Sequence, residues 1–185
     1  MATLRDELLE IFGGRATRRY GLARINQLQH ALQCAAAAEA ASAEPSLITA
    51  ALLHDVGHMI HALGEDPASH GIDDRHEEQG ARWLAERFPA SVSEPVRLHV
   101  PAKRYLCAAE PGYFATLSSD SMQSLTLQGG PMSPEEMAAF ERLPWFTEAT
   151  KLRRFDEAAK DPHARTESFE YYLKYAEACG RHLAH

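Results

Sequence analysis

The sequence has few cysteines and no paired cysteine motif. Cys34, Cys107 and Cys179 are odd in number, far apart and outside any CxxC spacing, so a disulfide framework is not expected. Free cysteine is among the residue types most often buried in proteins. We therefore expect three buried or partly buried thiols in a reducing compartment.

Long apolar segments and an excess of basic residues are also missing. No run approaches 18 uncharged apolar residues, and the first 14 residues form a charged amphipathic stretch without the apolar region of a secretory signal. This predicts a cytoplasmic protein without a membrane partner. The formal net charge of -7 offers no basic surface for nucleic acid, so a small molecule is the expected partner.

Alternating strings of β-branched residues are absent as well, whereas apolar residues recur at intervals of three and four. This pattern predicts an all-α protein, and a length of 185 residues predicts a single domain over 1–185. Helices are expected over 3–12, 22–42, 46–61, 74–88, 91–109, 118–126, 134–141, 145–159 and 167–181.

Three local features refine these helices. Ser133 and Glu136 enclose Pro134 in the spacing of a capping box, which predicts a helix start. The alanine tract 35–38 is expected to be helical and closely packed. Pro101 is expected either to end a helix just after His99 or to begin a new one at its first position.

The segment between His58 and His76, residues 59–75, is rich in glycine, proline and acidic residues. Such composition predicts a surface loop. If the neighbouring histidines bind a ligand or a metal, this loop becomes a candidate lid.

The stretch ALLHDVGH, residues 51–58, carries an adjacent His54–Asp55 pair and a second histidine, His58, four residues after the first. Adjacent side chains on a helix diverge by about 100°. The His54 and Asp55 side chains can therefore both line one pocket only if they lie on opposite sides of its rim or bind different metals. A carboxylate has two oxygens and can bridge two ions.

Four more potential metal ligands are spaced so that each falls on a different predicted helix. A lone histidine is more often a core or surface residue than a ligand, but six donors in the order H…HD…H…H…D favour a metal site inside a helical bundle. The six residues are His30, His54, Asp55, His76, His99 and Asp156.

The HD pair within this ordered series resembles the HD-domain superfamily. Four further segments are similar to the mixed-valence diiron oxygenases of that superfamily: INQLQHALQCA, HVPAKRYL, SLTLQGGPM and LRRFDEAAK. The resemblance covers about residues 20–160 and is strongest to the dioxygenases that cleave the carbon–phosphorus bond of 1-hydroxy-2-aminoethylphosphonate or of its trimethylammonium analogue. It implies an HD-domain helical bundle with a dinuclear metal site in its core, and a role in phosphonate catabolism.

The resemblance also implies a set of ligands and a cofactor. His30, His54, Asp55 and Asp156 would hold one iron, and Asp55, His76 and His99 the other, with Asp55 as the bridge. The cofactor would be two iron ions in the Fe(II)/Fe(III) state, with O2 as co-substrate. A set of imidazoles and carboxylates without thiolate suits iron or manganese better than structural zinc.

For the substrate, the resemblance implies that His58 lies beside it and that Lys103, Ser121 and Arg153 hold its phosphonate group. His58 and Lys103 are the implied catalytic side chains. A buried dianion requires cations and hydrogen-bond donors, which these residue types supply. The plainer alternatives are a histidine bonded to a carbonyl and two solvated helix charges.

Gln128 stands beside two glycines, Gly129 and Gly130. The glycines are expected to shape a turn beside the pocket, because glycine permits positive φ and close backbone approach. A structural role is the expectation for Gln128.

One position departs from the pattern of the aminophosphonate enzymes. Tyr20 matches their tyrosine, but Ala23 stands where their glutamate helps to recognise the substrate amine. A trimethylammonium group offers no N–H donors and prefers aromatic faces and diffuse negative charge, so this loss favours the quaternary substrate. Tyr20 is expected to form the wall of the pocket that faces the trimethylammonium cation. Weaker candidates in the loop are Glu65, Asp66, Asp73 and Asp74.

The expected activity is thus O2-dependent cleavage of 1-hydroxy-2-(trimethylammonio)ethylphosphonate to glycine betaine and phosphate. Three alternatives are the same reaction on the primary amine to give glycine, an HD-type metal-dependent phosphohydrolase that activates water, and a non-catalytic HD domain that binds a ligand. A requirement for O2 separates the oxygenases from the phosphohydrolase.

Overall fold

The computed structural model describes residues 3–17, 25–60 and 73–181, which form helices and turns without a β-strand among them. The protein is therefore all-α, as predicted. Besides a short 3-10 turn at Arg15–Thr17, the helices are Leu4–Gly13 (α1), Gln27–Ala40 (α2), Pro45–Leu53 (α3), Val56–Ile60 (α4), His76–Ala85 (α5), Ala90–Ala109 (α6), Tyr113–Thr116 (α7), Ser119–Leu127 (α8), Pro134–Phe140 (α9), Phe146–Ala158 (α10) and Phe169–Cys179 (α11).

Helix α6 is the long central element and packs against α3, α5 and α10. Helix α3 also contacts α2 and α11 and is nearly all apolar, so its side chains are buried on every side. The predicted close packing of the alanine tract is confirmed, since Ala35 and Ala38 are fully buried. These contacts surround a polar centre formed by α2, α3, α5, α6 and α10.

The prediction of a single helix over 46–61 is wrong, because the helix is interrupted at His54 and Asp55. Helix α3 ends at Leu53, and α4 begins at Val56. Gly57 then lies so close to α5 that a Cβ placed on it would sit 2.0 Å from the carbonyl oxygen of His76. The break aims both side chains of the pair at one centre, and the glycine brings His76 beside them.

Pro101 does not end or begin a helix, so both expectations for it are wrong. Helix α6 continues through it from Ala90 to Ala109, although proline removes one backbone hydrogen bond and costs about 3 kcal/mol in a helix interior. The buried side chains of Leu98, Ala102 and Leu106 offset this cost by holding α6 in the bundle.

Several smaller predictions are settled. The capping box at Ser133–Glu136 is present, with Pro134 at the first helical turn. The cysteines are free, with Cys34 buried and the other two partly buried. Gly129 and Gly130 have φ values of 97° and 72° and form the predicted turn. The short helix α7 was not predicted from the sequence.

Some predictions fall outside the described residues. These include Tyr20 and Ala23, Glu65 and Asp66, and residues 61–72 of the candidate lid. Within the described part of the chain, no helix is both long and apolar enough to cross a lipid bilayer.

Candidate metal centre

The structure brings the six predicted ligands together at one buried centre. His30 comes from α2, His54 and Asp55 from the break after α3, His76 from the start of α5, His99 from α6 and Asp156 from α10. All six are buried. The sequence order alone predicted this convergence.

The four imidazoles form two pairs whose Nε2 atoms face each other. His30 Nε2 lies 3.2 Å from His54 Nε2, and His76 Nε2 lies 3.2 Å from His99 Nε2. Donor atoms bound at right angles to one ion at about 2.1 Å are roughly 3 Å apart. Each pair therefore has the spacing of two ligands to a common ion.

The opposite edge of each ring fixes its orientation. The Nδ1 atoms of His30, His54 and His99 lie 2.8, 2.9 and 2.7 Å from the backbone carbonyl oxygens of Ala159, Ala51 and Val96. A carbonyl oxygen accepts only, so Nδ1 donates and the Nε2 lone pair points into the centre. Metal-binding histidines are usually held in this way.

Two carboxylates complete the donor set. Asp55 Oδ1 lies 3.4 Å from His54 Nε2 and 3.6 Å from His76 Nε2, so one residue faces both histidine pairs. Asp156 Oδ1 lies 3.3 Å from His30 Nε2. Asp55 Oδ2 and Asp156 Oδ1 are buried without a hydrogen-bond partner in the structure. An unsatisfied buried carboxylate oxygen is costly, and a bound cation would satisfy it.

The two histidines of each pair have pKa values shifted in opposite directions. Burial lowers the pKa of His54 and of His99. Burial acts in the same direction on His30 and His76, but Cys34 and Asp156 raise the pKa of His30, and Asp74 raises that of His76 to about 9. One imidazole of each pair thus attracts a proton, at a point where a metal ion would replace it.

The residues therefore fit a dinuclear metal site by their spacing, ring orientation and unsatisfied oxygens. Asp55, His76 and His99 together have donor atoms close enough to hold one ion, as do His30, Cys34 and His54. A thiol was not expected in the site, yet Cys34 Sγ lies 3.8 Å from His30 Nε2. Its place one helical turn after His30 was the signal that could have indicated it.

Beside this centre lie the three residues that were predicted to hold the phosphonate: Lys103, Ser121 and Arg153. Arg153 is buried, and its guanidinium contacts Ser121 Oγ at 3.1 Å and Asp156 Oδ2. Lys103 is also buried, and its Nζ donates to Ser124 Oγ at 2.7 Å. Burial, followed by the charge of Arg153, lowers the pKa of Lys103 to about 7. Asp156 therefore faces the histidine cluster with one carboxylate oxygen and Arg153 with the other.

Four residues that contact Lys103, Ser121 or Arg153 were not predicted from the sequence: Tyr113, Ser124, Glu157 and Lys160. Tyr113 accepts a hydrogen bond from Arg153, and Lys160 donates to Ser121 Oγ at 3.0 Å. Glu157 forms ion pairs with Arg153 and with Lys160. Glu157 lies four residues after Arg153, and this spacing on α10 could have indicated the contact.

His58 stands at the other edge of the centre, stacked on the ring of His76 at 3.9 Å between centroids. Its Nδ1 lies 2.8 Å from Asp74 Oδ2. Asp74 was expected as a weak candidate for the substrate cation, but its oxygens contact His58 and His76 instead. Asp73 is exposed. Gln128 ends α8 with its buried Oε1 lacking a hydrogen-bond partner in the structure.

Comparisons with known proteins agree with this geometry. Residues 28–139 match the HD domain. The chain is 44% identical over 161 residues to hydroxymethylphosphonate dioxygenase of Gimesia maris, which covers 85% of this chain and 79% of that protein. It is 40% identical over 172 residues to [1-hydroxy-2-(trimethylamino)ethyl]phosphonate dioxygenase (glycine-betaine-forming) of Leisingera caerulea, covering 91% and 88%.

The HD match includes five of the six clustered donors, and Asp156 lies beyond it. Both relatives are dioxygenases aligned over most of their length, which implies a metal cofactor, a small-molecule substrate and O2. The chain therefore belongs to the HD-domain family and, within that family, to the non-heme phosphonate dioxygenases.

Proposed function

We propose that this enzyme cleaves the carbon–phosphorus bond of 1-hydroxy-2-(trimethylammonio)ethylphosphonate with O2 and forms glycine betaine and inorganic phosphate. In the balanced reaction, R–CH(OH)–PO3²⁻ and O2 give R–COO⁻, HPO4²⁻ and H⁺. The carbon–hydrogen and carbon–phosphorus bonds at C1 break, carbon is oxidised and O2 is reduced. One oxygen atom enters each product.

One observation carries this proposal: a buried histidine–carboxylate cluster adjoins a buried cationic site in a chain closely related to phosphonate dioxygenases. Asp156 contacts both, with Oδ1 towards His30 and Oδ2 against Arg153. A substrate whose hydroxyl and phosphonate are on the same carbon would span these adjacent sites. Ala23 favours a substrate without a primary ammonium group.

Hydroxymethylphosphonate is the second candidate, because the relative from Gimesia maris is named for it. That compound has no ammonium group, so the absence of a glutamate at position 23 agrees with it equally well. Its products would be formate and phosphate. The primary amine 1-hydroxy-2-aminoethylphosphonate ranks below both, since it requires acceptors for three N–H donors.

For the metal centre, we propose two iron ions in the Fe(II)/Fe(III) state. His30, His54, Asp55 and Asp156 would hold one ion, and Asp55, His76 and His99 the other. When bound, the iron pair would supply the reduction chemistry for O2 and Lewis acidity for the substrate oxygens. The Nδ1 hydrogen bonds keep the four imidazoles oriented for this set.

The protein's own contribution would be to hold the phosphonate and to exclude water. Lys103, Ser121 and Arg153 would donate to the phosphonate oxygens, and Lys160, which already bonds to Ser121, adds a third cation. Charge-assisted hydrogen bonds are about twice as strong as neutral ones. His58 would lie on the substrate side of the centre.

The test is aerobic incubation of the iron-loaded protein with each of the three hydroxyphosphonates, following phosphate and the organic acid. The trimethylammonium compound should give the highest kcat/KM, with glycine betaine and phosphate in equal amounts. Highest kcat/KM on hydroxymethylphosphonate would establish the second candidate. No phosphate release from any of the three compounds would contradict the proposed function.

The substitution Ala23→Glu should raise activity on the primary amine relative to the trimethylammonium compound. A carboxylate accepts hydrogen bonds from an ammonium group but finds no donor on a quaternary nitrogen. We expect the ratio of the two kcat/KM values to shift by about tenfold or more towards the amine. Ala23→Gln, which has similar size without the charge, is the matched control. An unchanged ratio of the two kcat/KM values would show that position 23 does not determine substrate specificity.

A further inference from the structure

Asp74 contacts both histidines at the substrate edge of the metal centre. Its Oδ1 lies 2.9 Å from His76 Nδ1 and also accepts from the backbone N–H of His76. Its Oδ2 lies 2.8 Å from His58 Nδ1. The carboxylate is 8% exposed, and the two rings that it joins are stacked. One buried side chain thus orients a metal-site histidine and its substrate-side neighbour together.

We propose that Asp74 is a positioning residue that sets the ring orientation and tautomer of His58 for the proposed reaction, while holding His76 towards the metals. A carboxylate is an acceptor only, so it requires a hydrogen on the Nδ1 of each ring. His58 Nε2, on the opposite edge of its ring, is then the atom directed away from Asp74. This inference rests on the proposed function only in naming the reaction that His58 serves.

The surrounding backbone supports this role. Arg75 has a positive φ of 48°, which turns the chain sharply between Asp74 and His76. Gln79 donates to the Asp74 carbonyl at 2.7 Å. A residue with positive φ other than glycine is uncommon and is retained where the surrounding contacts require it. The turn places the Asp74 side chain against both rings.

The substitution Asp74→Asn tests the proposal with little change in shape. An amide has one oxygen and one NH2 group, so it can accept from only one of the two rings and must present a donor to the other. Because His76 is also held by its backbone contact to the same oxygen, His58 is the ring expected to change tautomer. Asp161→Asn, at an exposed acid whose side chain accepts from the backbone N–H of His163, is the matched control.

Three measurements distinguish a positioning role of Asp74 from a general contribution to the stability of the fold. In the metal-free protein, ¹⁵N shifts of the His58 ring should change in Asp74→Asn and not in Asp161→Asn. Affinity for Co(II) should fall by less than about tenfold, because the asparagine oxygen still accepts from His76 Nδ1 and the partner of this histidine is not removed. With the preferred substrate, kcat should fall by about 10–100-fold while KM changes less than about threefold, because the proposed phosphonate contacts are elsewhere.

The double variant His58→Phe/Asp74→Asn shows whether Asp74 acts through the His58 ring. In a His58→Phe background, Asp74→Asn should lower kcat much less than it does in the wild-type protein, since the two changes remove the same interaction. Unchanged His58 ring shifts, or an equal loss of kcat in both backgrounds, would overturn the proposal. The ring shifts require no substrate, so they decide this inference even if the wild-type protein releases no phosphate.

Discussion

Replacing Asp55 with asparagine is expected to lower phosphate release by at least about 10³-fold and to reduce the bound iron below two ions per chain. Asp55 is the only one of the six clustered donors that lies within 4 Å of the Nε2 atoms of all four histidines. An amide keeps the shape but has one acceptor oxygen and no charge, so it cannot bridge two cations.

Metal analysis and phosphate assays on the purified variant measure this effect. Asp161→Asn is the control, since Asp161 is an exposed acid whose side chain accepts from the backbone N–H of His163. The control should keep both ions and full activity, and circular dichroism should show both variants folded. Two bound iron ions together with activity within tenfold of wild type in Asp55→Asn would refute the bridging role.

Replacing Lys103 with methionine should impair catalysis and stabilise the fold. Loss of a buried cation that is proposed to hold the phosphonate should lower kcat/KM by about 10²–10³-fold, chiefly through KM. In the metal-free protein the burial that lowers the pKa of Lys103 to about 7 makes the charged lysine unfavourable. Methionine has similar length and no charge, so the free energy of unfolding should rise by about 2 kcal/mol at pH 6.

This stabilisation should depend on pH in a defined direction. Between pH 7 and about 10.5 the unfolded chain keeps the Lys103 proton that the folded protein loses. The wild-type protein therefore gains stability relative to Lys103→Met as pH rises through this range. Urea unfolding of both proteins at pH 6 and pH 9.5 measures the difference. Lys151→Met, at an exposed lysine of α10, should show neither effect. Unchanged KM or a less stable Lys103→Met would contradict this account.

The metal centre was predictable because each ligand type falls on a separate helix in a characteristic order. The sequence did not indicate how His54 and Asp55 could serve one centre, since a continuous helix directs adjacent side chains about 100° apart. The break between α3 and α4 solves this problem, and it depends on the contact of Gly57 with the backbone of His76. That contact joins residues distant in sequence, which local pattern does not report.

The contacts of Asp74 and Glu157 were missed for a similar reason. Asp74 was expected to be a weak candidate for the substrate cation, and Glu157 was not singled out, because an acid on a helix is usually exposed to solvent. Their burial results from packing: Asp74 is held between two rings, and Glu157 between Arg153 and Lys160. Pro101 was expected to interrupt a helix but does not, because burial of α6 outweighs the local cost of proline.

The most direct test of the central claim is turnover of 1-hydroxy-2-(trimethylammonio)ethylphosphonate under ¹⁸O2 with mass analysis of both products. Oxygenative cleavage of the carbon–phosphorus bond predicts one ¹⁸O atom in phosphate and one in glycine betaine, and no product without O2. Unlabelled phosphate, released at the same rate under strict anaerobiosis, would show that water is the oxygen source and would contradict the proposed reaction.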